Sequence, residues 1–267
     1  YAHKRTNFKL HLHFNIKEMI PFLSFGVSIS LKKILTEVSH RMDEIIIGGA
    51  LSAEILGMYF FGKNLILHLR VLLTNAFSQV LLPIFSKMKN DRSKMNSVYN
   101  KVSYFVAIIA FPVFVGVSLT AHLFIPIFFG DQWSGSANVI KVLSIVMIAL
   151  VLTANLATSL LYSLNRPGRV LLIDLLVTAL YLLGLFSFSH FGLNIILALY
   201  SLYIIIKCIF LQLLVSKELK NSFLKYTFQF KPILLSTLVM AIFVWLSQNY
   251  LLNQSNRNLS PTLSLVA

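Results

Sequence analysis

The chain has 267 residues, 57% of them hydrophobic and only 12% charged, with a mean hydropathy of +0.78. A soluble domain carries about 25% charged residues, so the composition excludes an ordinary water-soluble globule and points to an integral membrane protein. The net charge of +14 raises nucleic acid as a partner, but the placement of the basic residues argues against it.

Residue 1 is Tyr, and the opening "HKRTNFKLHLHF" is too polar for the apolar part of a signal peptide. Residues 1–19 read as a cytoplasmic connecting segment, and the expectation is that the protein starts upstream. A helix needs about 20 residues to cross the hydrocarbon. Seven stretches reach that length: 20–47, 57–85, 98–128, 139–164, 170–188, 193–215 and 232–251. Sustained period-2 alternation is missing, so strands are not expected. The predicted fold is therefore all-α, a bundle of six to seven transmembrane helices.

The connections differ by side. One set carries Lys87, Lys89, Arg92 and Lys94, then Arg166 and Arg169, then Lys217, Lys220, Lys225 and Lys231. The N-terminal segment adds Lys4, Arg5, Lys9 and Lys17. The opposite set, 48–56, 130–138 and 190–192, has no Lys or Arg. By the positive-inside rule the basic loops are cytoplasmic, so most of the +14 reports topology. Anionic membrane lipids are expected partners of those loops. Residues 20–215 read as a six-helix lobe, 216–231 as a basic cytoplasmic loop, 232–251 as an additional span and 252–267 as an outer tail.

The first span is unusually polar. On a helix, Lys33, Glu37, His40 and Glu44 fall within about 60° of arc, with Arg41 beside them. Lys32 and Asp43 share the adjoining flank, and Leu31, Ile34, Leu35, Val38 and Ile45 lie opposite. Lys32 stands about 18 Å along the helix from Ile20, near mid-membrane. A central charge costs about 2.5–3.5 kcal/mol on insertion scales, so these groups must face water or partners. On the second span Tyr59, Lys63, Arg70 and Thr74 form one stripe, while Asn64, His68, Asn75 and Gln79 form another. The two polar faces read as the wall of a hydrated cavity, made cationic by Lys63 and Arg70. Such a cavity suits a phosphate-bearing substrate, which Arg grips bidentately and Lys as a point charge.

Other polar residues carry blander expectations. Asp174 is expected to pair near the surface with Arg166 and Arg169, and Lys141 and Lys207 to snorkel to a membrane face. His122 and His190 read as interfacial, Trp133 and Trp245 as interfacial anchors, and Cys208 as an inert packing residue. No nucleotide-binding loop, Ser/His/Asp arrangement or metal set stands in the sequence, so no cofactor or metal and no catalysis are expected. The outer loops are short and hold only Glu54 and Asp131 as acids, which disfavours a membrane glycan polymerase or ligase.

These stretches also carry a family likeness. "DEIIIGGALSAEILGMYFFGKNL" resembles the D-x-x-I-I-G-x-x-L-x-x-x-x-L-G-x-Y run of Wzx-type polysaccharide and O-antigen flippases of the multidrug/oligosaccharidyl-lipid/polysaccharide exporter superfamily. "LLPIFSKMKND", "FPVFVGVSLTAHLFIPIFFGDQW" and "LNRPGR" follow in the same order as that family's later segments. The resemblance implies the C-terminal lobe of a two-lobe exporter that moves undecaprenyl-diphosphate-linked oligosaccharide across a bacterial inner membrane for surface polysaccharide. It implies as partners a lipid-linked oligosaccharide and a missing N-terminal lobe or second copy. By charge and depth, not by the resemblance, Arg41, Lys63, Arg70 and Lys33 are the candidate substrate-binding residues. Glu37, His40, Asp43 and Glu44 are candidates for tuning the charge or coupling to an ion. The alternatives are a multidrug cation extruder of the same superfamily and a gene fragment without function.

Overall fold

Inside hydrocarbon the backbone has no partner but itself, so each long apolar run coils into a helix that satisfies its own N–H and C=O groups. The structure, a computed structural model, describes residues 16–263, without the side chains of 16–18, 21, 76, 78, 79 and 251–263. Most of the expected connecting segment, the Gln79 side chain and residues 264–267 of the expected tail lie outside the described residues.

The helices are α1 (Ile16–Ala50), α2 (Ala53–Lys87), α3 (Arg92–Phe129), α4 (Ser136–Ser163), α5 (Pro167–Phe188), α6 (Leu193–Leu219), α7 (Phe223–Phe228) and α8 (Lys231–Leu263). Among the described residues there is no strand. All seven expected spans are helical, and among the described residues six stretches are both long and apolar enough to cross a membrane. The stretch that falls short is α1, because its charges lower its hydropathy. The expected loop 216–231 holds more order than foreseen: α6 runs to Leu219 and the short α7 follows. Helix α8 continues past 251 to Leu263.

Residues at the turns explain the ends. Ser52 caps α2 by accepting from the Ile55 N–H at 3.2 Å, which satisfies one of the free donors of the first turn. Gly130 and Gly192 close α3 and precede α6 at φ +92° and +102°, values that favour a residue without Cβ. Asp91 caps α3 through the Lys94 N–H at 3.0 Å. That bond, with further contacts to Lys94 and Ser93, holds its carboxyl below the ordinary value.

A lowered folded pKa gives stability that is present above the unfolded pKa and lost as pH falls through the folded value. Asp91→Asn keeps the cap but loses the charge. It is therefore expected to lower the thermal midpoint slightly at neutral pH and to match the parent in acid. A deficit of equal size at both pH values would contradict that assignment.

Helix α4 is the axis of the bundle. It packs against α2, α3 and α6, and two thirds of its most apolar stretch is buried (67%). Small residues permit the closest approach: a Cβ on Gly62 of α2 would meet Val139 at 3.0 Å and the Ser136 carbonyl at 3.2 Å. Ser118 of α3 donates to the Lys141 carbonyl of α4 at 2.9 Å. Helix α1 lies mainly on α5, α5 on α6, and α8 on α3. Thus α1 and α2, adjacent in sequence, meet over a limited stretch.

Candidate functional site

The side of α1 that enters the bundle is polar. Its buried positions are Ser39, Asp43 and Ile47, spaced four apart, while Leu31, Ile34, Val38 and Ile45 are exposed. The flank shared by Lys32 and Asp43 faces α5, and Ser39 donates to Thr178 there at 3.3 Å. The exposed part of α1 is mixed: Leu31, Ile34, Val38 and Ile45 suit lipid, whereas Lys33, Glu37 and Arg41 are exposed as well.

Asp43, with no exposed surface, is the first ionic centre. Lys63 Nζ donates to its two oxygens at 2.8 and 2.9 Å, and the Tyr59 and Tyr181 hydroxyls donate at 2.8 and 3.3 Å. Lys63 also reaches the His40 carbonyl at 3.1 Å and Glu44 at 3.4 Å, so its three protons have partners. Its ammonium sits 5.3 and 5.8 Å from the Tyr59 and Tyr200 ring centres. Instead of lining an open cavity, Lys63 pins α2 to α1.

A second ionic centre lies on α5 and α6. Asp174 pairs with Lys207 at 2.8 Å and with Lys32 of α1 at 3.9 Å. This corrects two expectations. Arg166 and Arg169 bind Glu218 at 3.3 and 2.8 Å instead of Asp174. Lys207 is buried instead of snorkelling. The reason is depth: Lys207 is about 18 Å from the end of α6 at Leu219, too far for its side chain to reach water cheaply. Lys141, in contrast, is exposed.

Tyrosines link the two centres. Tyr181 and Tyr203 stack at 4.8 Å, and Tyr200 stands 6.0 Å from Tyr181 and 6.1 Å from Tyr203. Tyr203 and Tyr162 face the Lys207 and Lys32 ammonium groups at 5.6 and 5.7 Å. Asp174, Lys207 and these tyrosines were not foreseen as a set. Their spacing, Asp174 with Tyr181 and Tyr200 with Tyr203 and Lys207, puts each set on one helix face and is the signal that could have found them.

Of the remaining candidates, Lys33, Glu37 and Arg41 stay outside this network. Glu37 and Arg41 pair at 3.1 Å with side chains 66% and 68% exposed, and Lys33 is exposed beside them. Glu44 is 19% exposed. On α2, Asn64, with only part of its surface covered, and the exposed His68 bond back to carbonyls of their own helix. Arg70 and His40 are half-buried. Among the described residues Arg70 Nε and His40 Nδ1 have no hydrogen-bond partner. The structure thus divides the predicted residues: Asp43, Lys63 and Glu44 form one cluster, whereas Lys33, Glu37 and Arg41 form an exposed stripe. Arg70 and His40 keep free hydrogen-bonding capacity. The arrangement is an exposed stripe of charges beside a buried ion pair. Among the described residues, no group of three or more His, Cys, Asp or Glu side chains could hold a metal ion.

Residues 3–138 match the family described as polysaccharide biosynthesis protein. The chain is 26% identical over 142 residues to the lipopolysaccharide biosynthesis protein WzxC of Escherichia coli K12, covering 53% of this chain and 29% of that protein. It is 28% identical over 179 residues to the teichuronic acid biosynthesis protein TuaB of Bacillus subtilis 168, covering 67% and 37%. It is 19% identical over 121 residues to the amylovoran biosynthesis protein AmsL of Erwinia amylovora, covering 45% and 31%. The matched part is therefore about a third of the length of these relatives. No solved structure matches the chain.

Proposed function

The chain belongs to the polysaccharide biosynthesis protein family, and from that premise we propose that it forms one lobe of a flippase. The cargo would be an undecaprenyl-diphosphate-linked oligosaccharide crossing a bacterial inner membrane, with the N-terminal segment and basic loops cytoplasmic. The observation that carries this reading is the exposed stripe of Lys33, Glu37 and Arg41 on α1. Charges at that depth cannot face lipid without a cost of about 2.5–3.5 kcal/mol each. Water and a second bundle must cover them, supplied by a companion lobe or a second copy.

In the proposed mechanism Arg70, Arg41 and Lys33 receive the diphosphate and sugar headgroup while the lipid tail stays in the bilayer. Arg70 offers an uncommitted Nε and the planar fork that matches phosphate. Lys63 joins this set only in a state where Asp43 releases it. Glu37, His40 and Glu44 set the local charge, and Asp43 holds Lys63 until that exchange. Rocking of one lobe against the other would carry the headgroup across. A multidrug cation extruder would need an acid-rich face, whereas the exposed and half-buried groups here include Lys33, Arg41 and Arg70 against Glu37 and Glu44.

Arg70→Ala, produced at the parental level in the native host, is expected to reduce surface-glycan export at least tenfold. That is about the loss when one charged hydrogen bond is removed. Arg70→Lys should recover part of it. Undiminished export by Arg70→Ala would remove Arg70 from the mechanism.

A further inference from the structure

Away from the charged stripe, α3, α4, α6, α7 and α8 enclose a groove of about 360 Å³. Its wall is apolar, with Phe111, Ile148, Leu152, Ile205, Ile209 and Phe230 among the lining residues. The polar groups nearby are already engaged with each other. Tyr99 donates to Gln212 at 2.7 Å, and Tyr226 donates to the Leu152 carbonyl at 3.3 Å. Water therefore finds few partners there, and an apolar cavity of this kind takes an apolar guest. The space holds about a dozen water-sized or methylene-sized groups, at roughly 30 Å³ each.

The groove has a direction. Its lining covers about 10 Å along α4 from Ile145 to Leu152, and as much along α6 from Ile205 to Gln212. Its other wall is α7 and the start of α8 at the basic end, where Phe223, Tyr226, Thr227 and Phe230 line it. Exposed Lys217, Lys220, Lys225 and Lys231 flank those residues. The neighbouring acid, Glu218, is already neutralised by Arg166 and Arg169. Exposed Leu224 and Phe228 on α7 suit a short helix lying at headgroup level. An apolar slot ending under uncompensated lysines has the chemistry of one amphiphile: an acyl chain joined to an anionic headgroup.

We propose that this groove is a binding site for an anionic phospholipid of the bilayer, its acyl chain between α4, α6 and α8 and its phosphate on the lysines around α7. The site is separate from the charged stripe and independent of what the protein carries.

The test mixes the purified full chain with equimolar phosphatidylglycerol and phosphatidylcholine and reads retained lipid by native mass spectrometry. At low salt the phosphatidylglycerol adduct is expected to exceed the phosphatidylcholine adduct about tenfold, the scale set by one or two interfacial lysines. Ala149→Trp, which fills the groove, should abolish the adduct. Lys225→Gln combined with Lys231→Gln should keep bound lipid but erase the preference. An undiminished adduct in Ala149→Trp, or an unchanged preference without the lysines, would overturn the proposal.

A photoactivatable phosphatidylglycerol on the unaltered chain tests the same site without a substitution. Labels are expected within 205–212 and 223–234, and even labelling over the outward faces of all helices would overturn it. Undecaprenyl phosphate displacing phosphatidylglycerol at equal concentration would also overturn it, while leaving the flippase reading intact.

Discussion

Lys63→Met is expected to destabilise the protein by about 3–5 kcal/mol, the range found when one partner of a buried ion pair is removed. The cause is what remains. Asp43 is fully buried and would keep only the Tyr59 and Tyr181 hydroxyls as donors. Because α1 touches α2 over a short stretch, this pair is a main fastening between them. Adding Asp43→Leu to Lys63→Met removes both charges, and most of the lost stability should return, because an apolar pair of similar volume is often neutral or better. Thermal unfolding in detergent of the parent, the two single variants and the double variant gives the coupling energy. Additive losses would mean that the pair does not fasten the helices.

Asp174→Asn should have a comparable effect by a different route. Asp174 is one carboxylate between two ammonium groups, Lys207 at 2.8 Å and Lys32 at 3.9 Å. Without it two cations would face each other in a region where Lys207 is only 8% exposed, and both the lost partner and the repulsion act together. The expected order of loss is Asp174→Asn first, Lys207→Met second and Lys32→Met last. Lys32→Met removes the excess cation of a site with one anion, and its partner is the more distant, so it should be near neutral. Equal losses for Asp174→Asn and Lys32→Met would show that the cluster does not carry a surplus positive charge.

Much of the site was legible on α1 alone. The periodicity put Lys33, Glu37, His40 and Glu44 on one face and Lys32 with Asp43 on the next, and depth made both costly in lipid. It did not say which face would turn inward. The inward flank is the one with Lys32, Ser39 and Asp43, because α5 and α2 offer Asp174, Thr178 and Lys63 to meet them. Lys63 illustrates the remaining gap. Its stripe with Arg70 is correct as helix geometry, but its proton partners come from residues about twenty positions away on another helix.

The sequence by itself determined the class, the helical spans and the presence of ionisable groups within them. Those properties follow from local hydropathy and the 1.5 Å rise of a helix, which need no knowledge of neighbours. Only the tertiary structure decided that Lys63 and Lys207 are enclosed by Asp43 and Asp174, that a tyrosine cluster joins the two pairs, and that Lys33, Glu37 and Arg41 stay exposed. The physical reason is that a buried charge is stable only beside a counter-charge and donors held within about 3 Å. Here those partners come from helices far apart in the chain, so only their packing brings them together.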